Sequence, residues 1–161
     1  MTFNIYNGPK SDEWRTPHGF YSALNDRFDF SHDLAATKEN AKAPLFFTKE
    51  NDALQKNWNR IKGNCWLNPP FSLSTEFFKK ASESKNKIVA IYKAANMETE
   101  VWQKYIFPFA KVHVLSKRLN YEIDGEQKNG VTFGSALIFY RVNFKSQWLP
   151  EGTTLAKVIR R

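Results

Sequence analysis

Residues 59–94 read "NRIKGNCWLNPPFSLSTEFFKKASESKNKIVAIYKA". Two apolar runs, over about 62–67 and 87–93, bracket a segment in which Phe77, Phe78 and Ala81 recur at helical spacing. Both runs are short and nearly continuous, the habit of strands buried on two faces in a parallel sheet. Strand, helix, strand is the unit from which such a sheet is wound. Ser72 or Ser74 is the expected cap of the helix.

The flanks extend the alternation. Thr16 before Pro17 reads as a helix start, the hydroxyl capping free amides and the proline suiting the first turn, and Phe20, Tyr21 and Leu24 support a helix over about 17–26. "FDFSHDLAA" alternates into a strand ending near residue 34. Downstream, "NMETEVWQKYIFPFA" predicts a second helix with Val101, Trp102, Tyr105 and Ile106 on one stripe, and "KVHVL" a further strand. "KRLNYEIDGEQKNGVTFGSALIFYRV" reads as two strands around a loop carrying Asp-Gly and Asn-Gly. The expectation is an α/β fold, a mostly parallel sheet with a C-terminal antiparallel hairpin. The 161 residues fit one domain, with 1–10 as a poorly ordered arm and no pattern after Trp148.

Composition narrows the partners. Lys and Arg number 24 against 16 Asp and Glu, a formal charge of +8 that suits a polyanion such as nucleic acid, although it also suits a merely soluble basic protein. The apolar runs are far shorter than the ~20 residues of a membrane span, no leader is visible, and no membrane partner is expected. Cys65, alone and inside an apolar run, reads as a small buried residue in a reducing cytoplasm.

The chemistry concentrates in "NPPF", residues 68–71, at the carboxyl end of a predicted buried strand, where open parallel sheets bind ligands. Pro69 and Pro70 stop the ladder, fix φ and leave the carbonyl of Pro69 in a rigid direction without a companion donor. Asn68 adds a side-chain carbonyl, so two acceptors can grip an amino group with two protons, while Phe71 stacks on the flat ring that carries it. Such a nitrogen is a poor nucleophile because its lone pair is delocalised, and acceptors on its protons favour the tetrahedral form that attacks. An in-line electrophile, a methyl on a sulfonium, completes the scheme without metal or covalent intermediate. A base within a duplex must be flipped out to reach it. The bland alternative is a turn that only ends a strand.

The chain resembles the phage-type DNA adenine-N6 methyltransferases, the Dam family, from about Asp12 to Phe139. "DEWRTP" is similar to the family's opening D-x-W-x-T-P. "FDFSHDLAATKENAKAPLFFTKENDAL" matches its next stretch through Asp33, Ala35, Ala36, Asn40, Ala41, Phe47, Thr48, Asp52 and Leu54, and Trp58, "NPPF" and "RLNY…FGSALIFY" follow in order. The resemblance implies a Rossmann-like fold, S-adenosylmethionine as donor with S-adenosylhomocysteine as product, and methylation of adenine in DNA of a phage or its host. By position, Asn68, Pro69, Pro70 and Phe71 become the catalytic set. Trp14, Thr16 and Pro17 fall near the donor's methionine end, Asp33 and Ala35 in the first cofactor motif with Asp33 toward the amino group, and Asn40 and Asp52 toward ribose or adenine. Ala35 and Ala36 stand where many methyltransferases have a Gly-x-Gly loop, as the family's own pattern allows, while Asn68 and Phe71 replace the commoner Asp and Tyr, and Lys93 and Ala95 follow the next strand where the family often has a proline and an arginine.

Phosphate contacts need only basic residues beside the pocket. Candidates are Lys79, Lys80, Lys93, Lys117, Arg118 and Lys128, with Glu126, Gln127, Lys128 and Asn129 of a recognition segment over 117–133 toward base edges. The same motif also serves enzymes acting on RNA bases or glutamine amides, and the glycine-free loop is compatible with a silent DNA-binding relative. Oligomeric state, monomer or weak dimer, is not written in the sequence.

Overall fold

The computed structural model describes residues 14–48, 52–123, 126–127, 131–143, 145 and 155–159. The expected arm at 1–10 lies outside the described residues. Seven strands form one sheet: β1 (Phe30–Asp33), β2 (Leu45–Phe46), β3 (Asn64–Leu67), β4 (Lys87–Lys93), β5 (Ala110–Leu115), β8 (Ser135–Tyr140) and β9 (Leu155–Ile159). Between β5 and β8 the chain makes a separate two-stranded ribbon, β6 (Glu122–Ile123) with β7 (Glu126–Gln127). The order across the sheet is β2-β1-β3-β4-β8-β5-β9. Pairs among β2, β1, β3 and β4 are parallel, whereas β8 runs antiparallel to β4 and β5, and β9 antiparallel to β5.

Side-chain alternation makes three layers from this sheet. Ile88, Ala90 and Tyr92 of β4 and Ala136, Ile138 and Tyr140 of β8 face one core, shared with Phe77, Phe78 and Ala81 of α2 (Ser74–Glu83). The alternate residues Val89, Ile91, Leu137 and Phe139 face the other, shared with Phe20, Tyr21, Leu24 and Phe28 of α1 (His18–Phe28). Continuous apolar strands are therefore explained by burial on both sides. No helix among the described residues is long and apolar enough to cross a membrane.

Local signals fared unevenly. The helix, two strands, helix and strand expected from residue 17 through 93 are present as α1, β1, β3, α2 and β4. Neither serine caps α2: its N-cap is Leu73, without a side-chain bond, after a 3-10 turn over Phe71–Leu73. Ser74 instead donates to the Phe71 carbonyl at 2.9 Å and accepts from the Tyr92 hydroxyl at 3.0 Å, tying the turn to the sheet. The second expected helix is one π-helical turn, Val101–Ile106, closed by the Phe107 amide on the Trp102 carbonyl, with Tyr105 only half-buried. The C-terminal hairpin also differs. The apolar "SALIFY" enters the middle of the sheet, since it is buried on both faces, and the short pieces Glu122–Ile123 and Glu126–Gln127 form the ribbon apart from it. β2 and the edge strand β9 carry no sequence pattern of their own.

Leu24 is fully buried on the inner face of α1. Leu24→Ala leaves a cavity in that core, and we expect a loss of about 2–5 kcal/mol, read from the midpoint of urea unfolding followed by circular dichroism.

Candidate active site

β1, β3 and β4 run side by side in one direction, so their carboxyl ends gather Asp33, the 68–71 segment and Lys93 at one edge of the sheet. This is the edge at which open α/β sheets take ligands. A cavity of about 590 Å³ opens there, within the usual size of a small-molecule site. Trp14, Thr16, Asp33, Ala35, Asn40 and Asp52, all expected to hold a donor, line it together with Asn68 and Pro70. Pro17, Pro69 and Phe71 stand outside its lining.

Asp33 is 3% exposed. Its Oδ1 accepts from the Ala35 amide at 3.2 Å and its Oδ2 from the Lys42 amide at 3.0 Å. Burial pushes the carboxyl up from 3.8 to about 6, and the two amides and the Lys42 charge, which act the other way, do not cancel it. Its charged form is thus less favourable than in water, a deficit that a cation brought into the cavity would offset.

Ala35 follows on the loop and is half-buried. Asn40 closes a turn by accepting from the Thr37 amide at 2.6 Å, which occupies its side-chain oxygen and leaves the amide nitrogen for another partner. Asp52 is exposed, with φ of 58°, and its carbonyl accepts from Gln55 at the start of a turn.

The Asn68 side chain is oriented by the segment before α1. Its Nδ2 donates to the Trp14 carbonyl at 3.0 Å and to the Thr16 hydroxyl at 3.2 Å. A backbone carbonyl only accepts, so the nitrogen must face it, and Oδ1 is the branch left for a donor. Thr16 is therefore not the cap of α1. The N-cap is Pro17, without a side-chain bond, and the Glu122 carboxylate takes the His18 amide at 3.1 Å instead.

After Asn68 the two prolines turn the chain. Pro69 is buried, the Pro70 carbonyl accepts from Leu73 at 3.0 Å, and the Phe71 carbonyl is taken by Ser74. Among the described residues no bond is made to the Pro69 carbonyl. Phe71 sits beside the cavity in an aromatic group, edge-on to Tyr92 at 5.9 Å and to Phe133 at 5.6 Å. The Lys93 ammonium lies over its ring, 5.3 Å from the centroid.

The expected DNA contacts are dispersed. Lys79, Lys117 and Glu126 are exposed, while Lys80 lies over the Trp58 ring at 5.3 Å. Arg118 donates to the Val131 carbonyl at 3.0 Å, holding the segment before β8. Gln127 belongs to β7 by its backbone, and Lys128 and Asn129 lie outside the described residues. The cavity also has walls that were not among the expected donor contacts, Trp66, Leu54 and Phe77, with Lys42 and Thr48 at its polar side. Leu54 and Thr48 lay within the family-like stretch, so that signal was available. Trp66 and Phe77 read as core and serve as both.

Residues 6–158 match the family described as DNA N-6-adenine-methyltransferase (Dam). A DNA N-6-adenine-methyltransferase of Escherichia phage T1 is 32% identical over 123 residues, covering 72% of this chain and 50% of that protein. The protein YfdM of Escherichia coli (strain K12) is 35% identical over 65 residues, 37% of this chain and 71% of that protein. The chain thus spans about half the length of the phage relative. A family match that runs through α1, the three strand ends and the wall of the cavity makes the chain a member of the DNA N-6-adenine-methyltransferase (Dam) family.

Proposed function

We propose that the chain transfers a methyl group from S-adenosylmethionine to N6 of an adenine flipped out of DNA, on a Rossmann-like methyltransferase sheet. One observation carries this reading: Asn68, its amide nitrogen held and its oxygen left over, borders the same cavity that holds the buried Asp33 carboxylate. An amine grip and a site for a cationic small molecule then share a wall.

The residues present suit the donor chemically. The Asp33 carboxylate would take its ammonium group, Asn40 and the exposed Asp52 its ribose hydroxyls, and Trp66, Leu54 and Phe77 an apolar ring. When bound, it supplies an electrophilic methyl on a sulfonium. Asn68 Oδ1 and the Pro69 carbonyl accept hydrogen bonds from the two N–H groups of the adenine amine and favour the pyramidal nitrogen that attacks; as the N–C bond forms and the carbon–sulfur bond breaks, one of these protons is lost to solvent. Pro70 holds the turn so that these two oxygens cannot drift apart. Phe71 and its aromatic neighbours offer a face to the base. The net charge of +8, with Lys93, Lys117 and Arg118 near the strand ends or the ribbon, favours the phosphate backbone. Such an enzyme works in a bacterial cytoplasm, and shielding phage DNA from restriction is one use of it.

Nucleoside mass spectrometry of duplex DNA incubated with protein and donor should show N6-methyladenine. Label on RNA or on a glutamine amide, or none anywhere, would overturn the assignment. Asn68→Ala should lower tritiated methyl transfer at least about a hundredfold while DNA affinity changes less than about threefold, and an active variant would remove Asn68 from this role. Donor affinity should follow the charge of Asp33. Above its pKa of about 6 the carboxylate is anionic and meets an ammonium; below it the carboxyl is neutral and the attraction is lost. Calorimetry with S-adenosylhomocysteine should therefore show weakening from about pH 7.5 to about pH 5, and Asp33→Asn should bind weakly with a flat profile.

A further inference from the structure

The segment 14–17 is a strap between two parts of the molecule that are far apart in sequence. On one side it meets the ribbon. The Arg15 amide donates to the Glu122 carbonyl at 3.0 Å, the Glu122 amide donates back to the Arg15 carbonyl at 2.9 Å, and the Glu122 carboxylate accepts from the His18 amide at 3.1 Å. On the other side it meets the reacting edge, where the Trp14 carbonyl and the Thr16 hydroxyl hold the Asn68 amide. Between these ends the Trp14 ring packs edge-on to Tyr121 at 6.1 Å and to Phe133 at 5.8 Å. The Tyr121 hydroxyl bonds Ser135 at 2.7 Å, the first residue of β8.

We infer that Glu122 is a positioning residue: by fastening the strap at Arg15 and His18 it sets the orientation of the Asn68 amide, and so couples the β6–β7 ribbon to methyl transfer. Two physical points carry this. An Asn side chain rotates freely about its last torsion unless both amide hydrogens are engaged, and both acceptors here belong to the strap. The strap has no local reason to stay in place, because it precedes a helix whose own N-cap makes no side-chain bond; the bond to His18 comes from the ribbon. A duplex docked against the ribbon acts on the amide through this strap, so loss of the ribbon contact is felt as lost turnover rather than lost binding. The inference rests on the reading that Asn68 grips the substrate amine, but its first test does not.

That test is exchange of the Asn68 side-chain amide protons in 15N-labelled protein. Glu122→Ala should speed it at least about tenfold, Glu122→Gln, which keeps an acceptor, should restore it, and the fold should persist by circular dichroism. His18→Pro is the second variant. It removes the amide that Glu122 bonds, together with the exposed imidazole contact to the Ser22 hydroxyl at 3.3 Å, at the first helical position, where proline is well tolerated and where Pro17 already has a compatible ψ of 134°. It should speed exchange likewise. In the transfer assay, Glu122→Ala should lower kcat about tenfold with KM for DNA within about threefold, and adding Thr16→Val should worsen it by no more than about twofold, since both act on one amide. Unchanged exchange in folded Glu122→Ala and His18→Pro, or kcat losses that multiply, would overturn the inference. Failure of the unsubstituted protein to methylate DNA would count against the proposed reaction alone, and the exchange result would still decide the coupling.

Discussion

Burial of β3 and β4 on both faces is the constraint on which the rest of the molecule depends. Alternate residues of β4 feed two separate cores, so its side chains from Ile88 to Tyr92 are buried and the one polar group among them, the Tyr92 hydroxyl, is bonded to Ser74. Polar chemistry is pushed to the ends. Asp33 closes β1, Asn68 follows the last residue of β3, and Lys93 closes β4, each displaced from the core by the same requirement. The prolines at 69 and 70 make this stop abrupt, because neither can donate to a ladder. The site is thus a consequence of how the sheet terminates.

At that edge the fold tolerates cost. A carboxylate as buried as Asp33 is disfavoured in its charged form, and two backbone amides offset only part of the penalty. Replacing it with a small apolar residue would relieve the penalty but leave the Ala35 and Lys42 amides without an acceptor. The same trade appears at Asn68, whose nitrogen is committed to the strap while its oxygen is not. Unfinished pairing of this kind is typical of sites that are completed by a ligand.

The sequence revealed what is local. Apolar runs with a helix between them carried the parallel part of the sheet, and a strand stopped by two prolines carried the edge where the cavity opens. Six of the residues matched to the donor share one cavity, since a family resemblance records spatial neighbours that periodicity cannot. Contacts across the chain were hidden. Thr16 looked like a helix cap from its neighbours alone, yet its partner is Asn68, and the true bond to the start of α1 comes from Glu122. β2, with two residues, is too short to show alternation, and "SALIFY" reads equally well as a hairpin strand or a central one. Which it becomes depends on the space between β4 and β5, a tertiary fact.

Phe71 illustrates how magnitudes decide between the resting and the working arrangement. In the structure the Lys93 ammonium stands over its ring, an attraction of roughly 0.5–2 kcal/mol. A stacked base contributes about 1–3 kcal/mol on an aromatic face, and a lysine that leaves the ring gains a phosphate once DNA is near. Both terms run toward exchange, so the ammonium is a weak occupant of the ring and not a block on it. Under the proposed reaction, Lys93 would thus keep half-buried Phe71 covered until a polyanion draws the charge away.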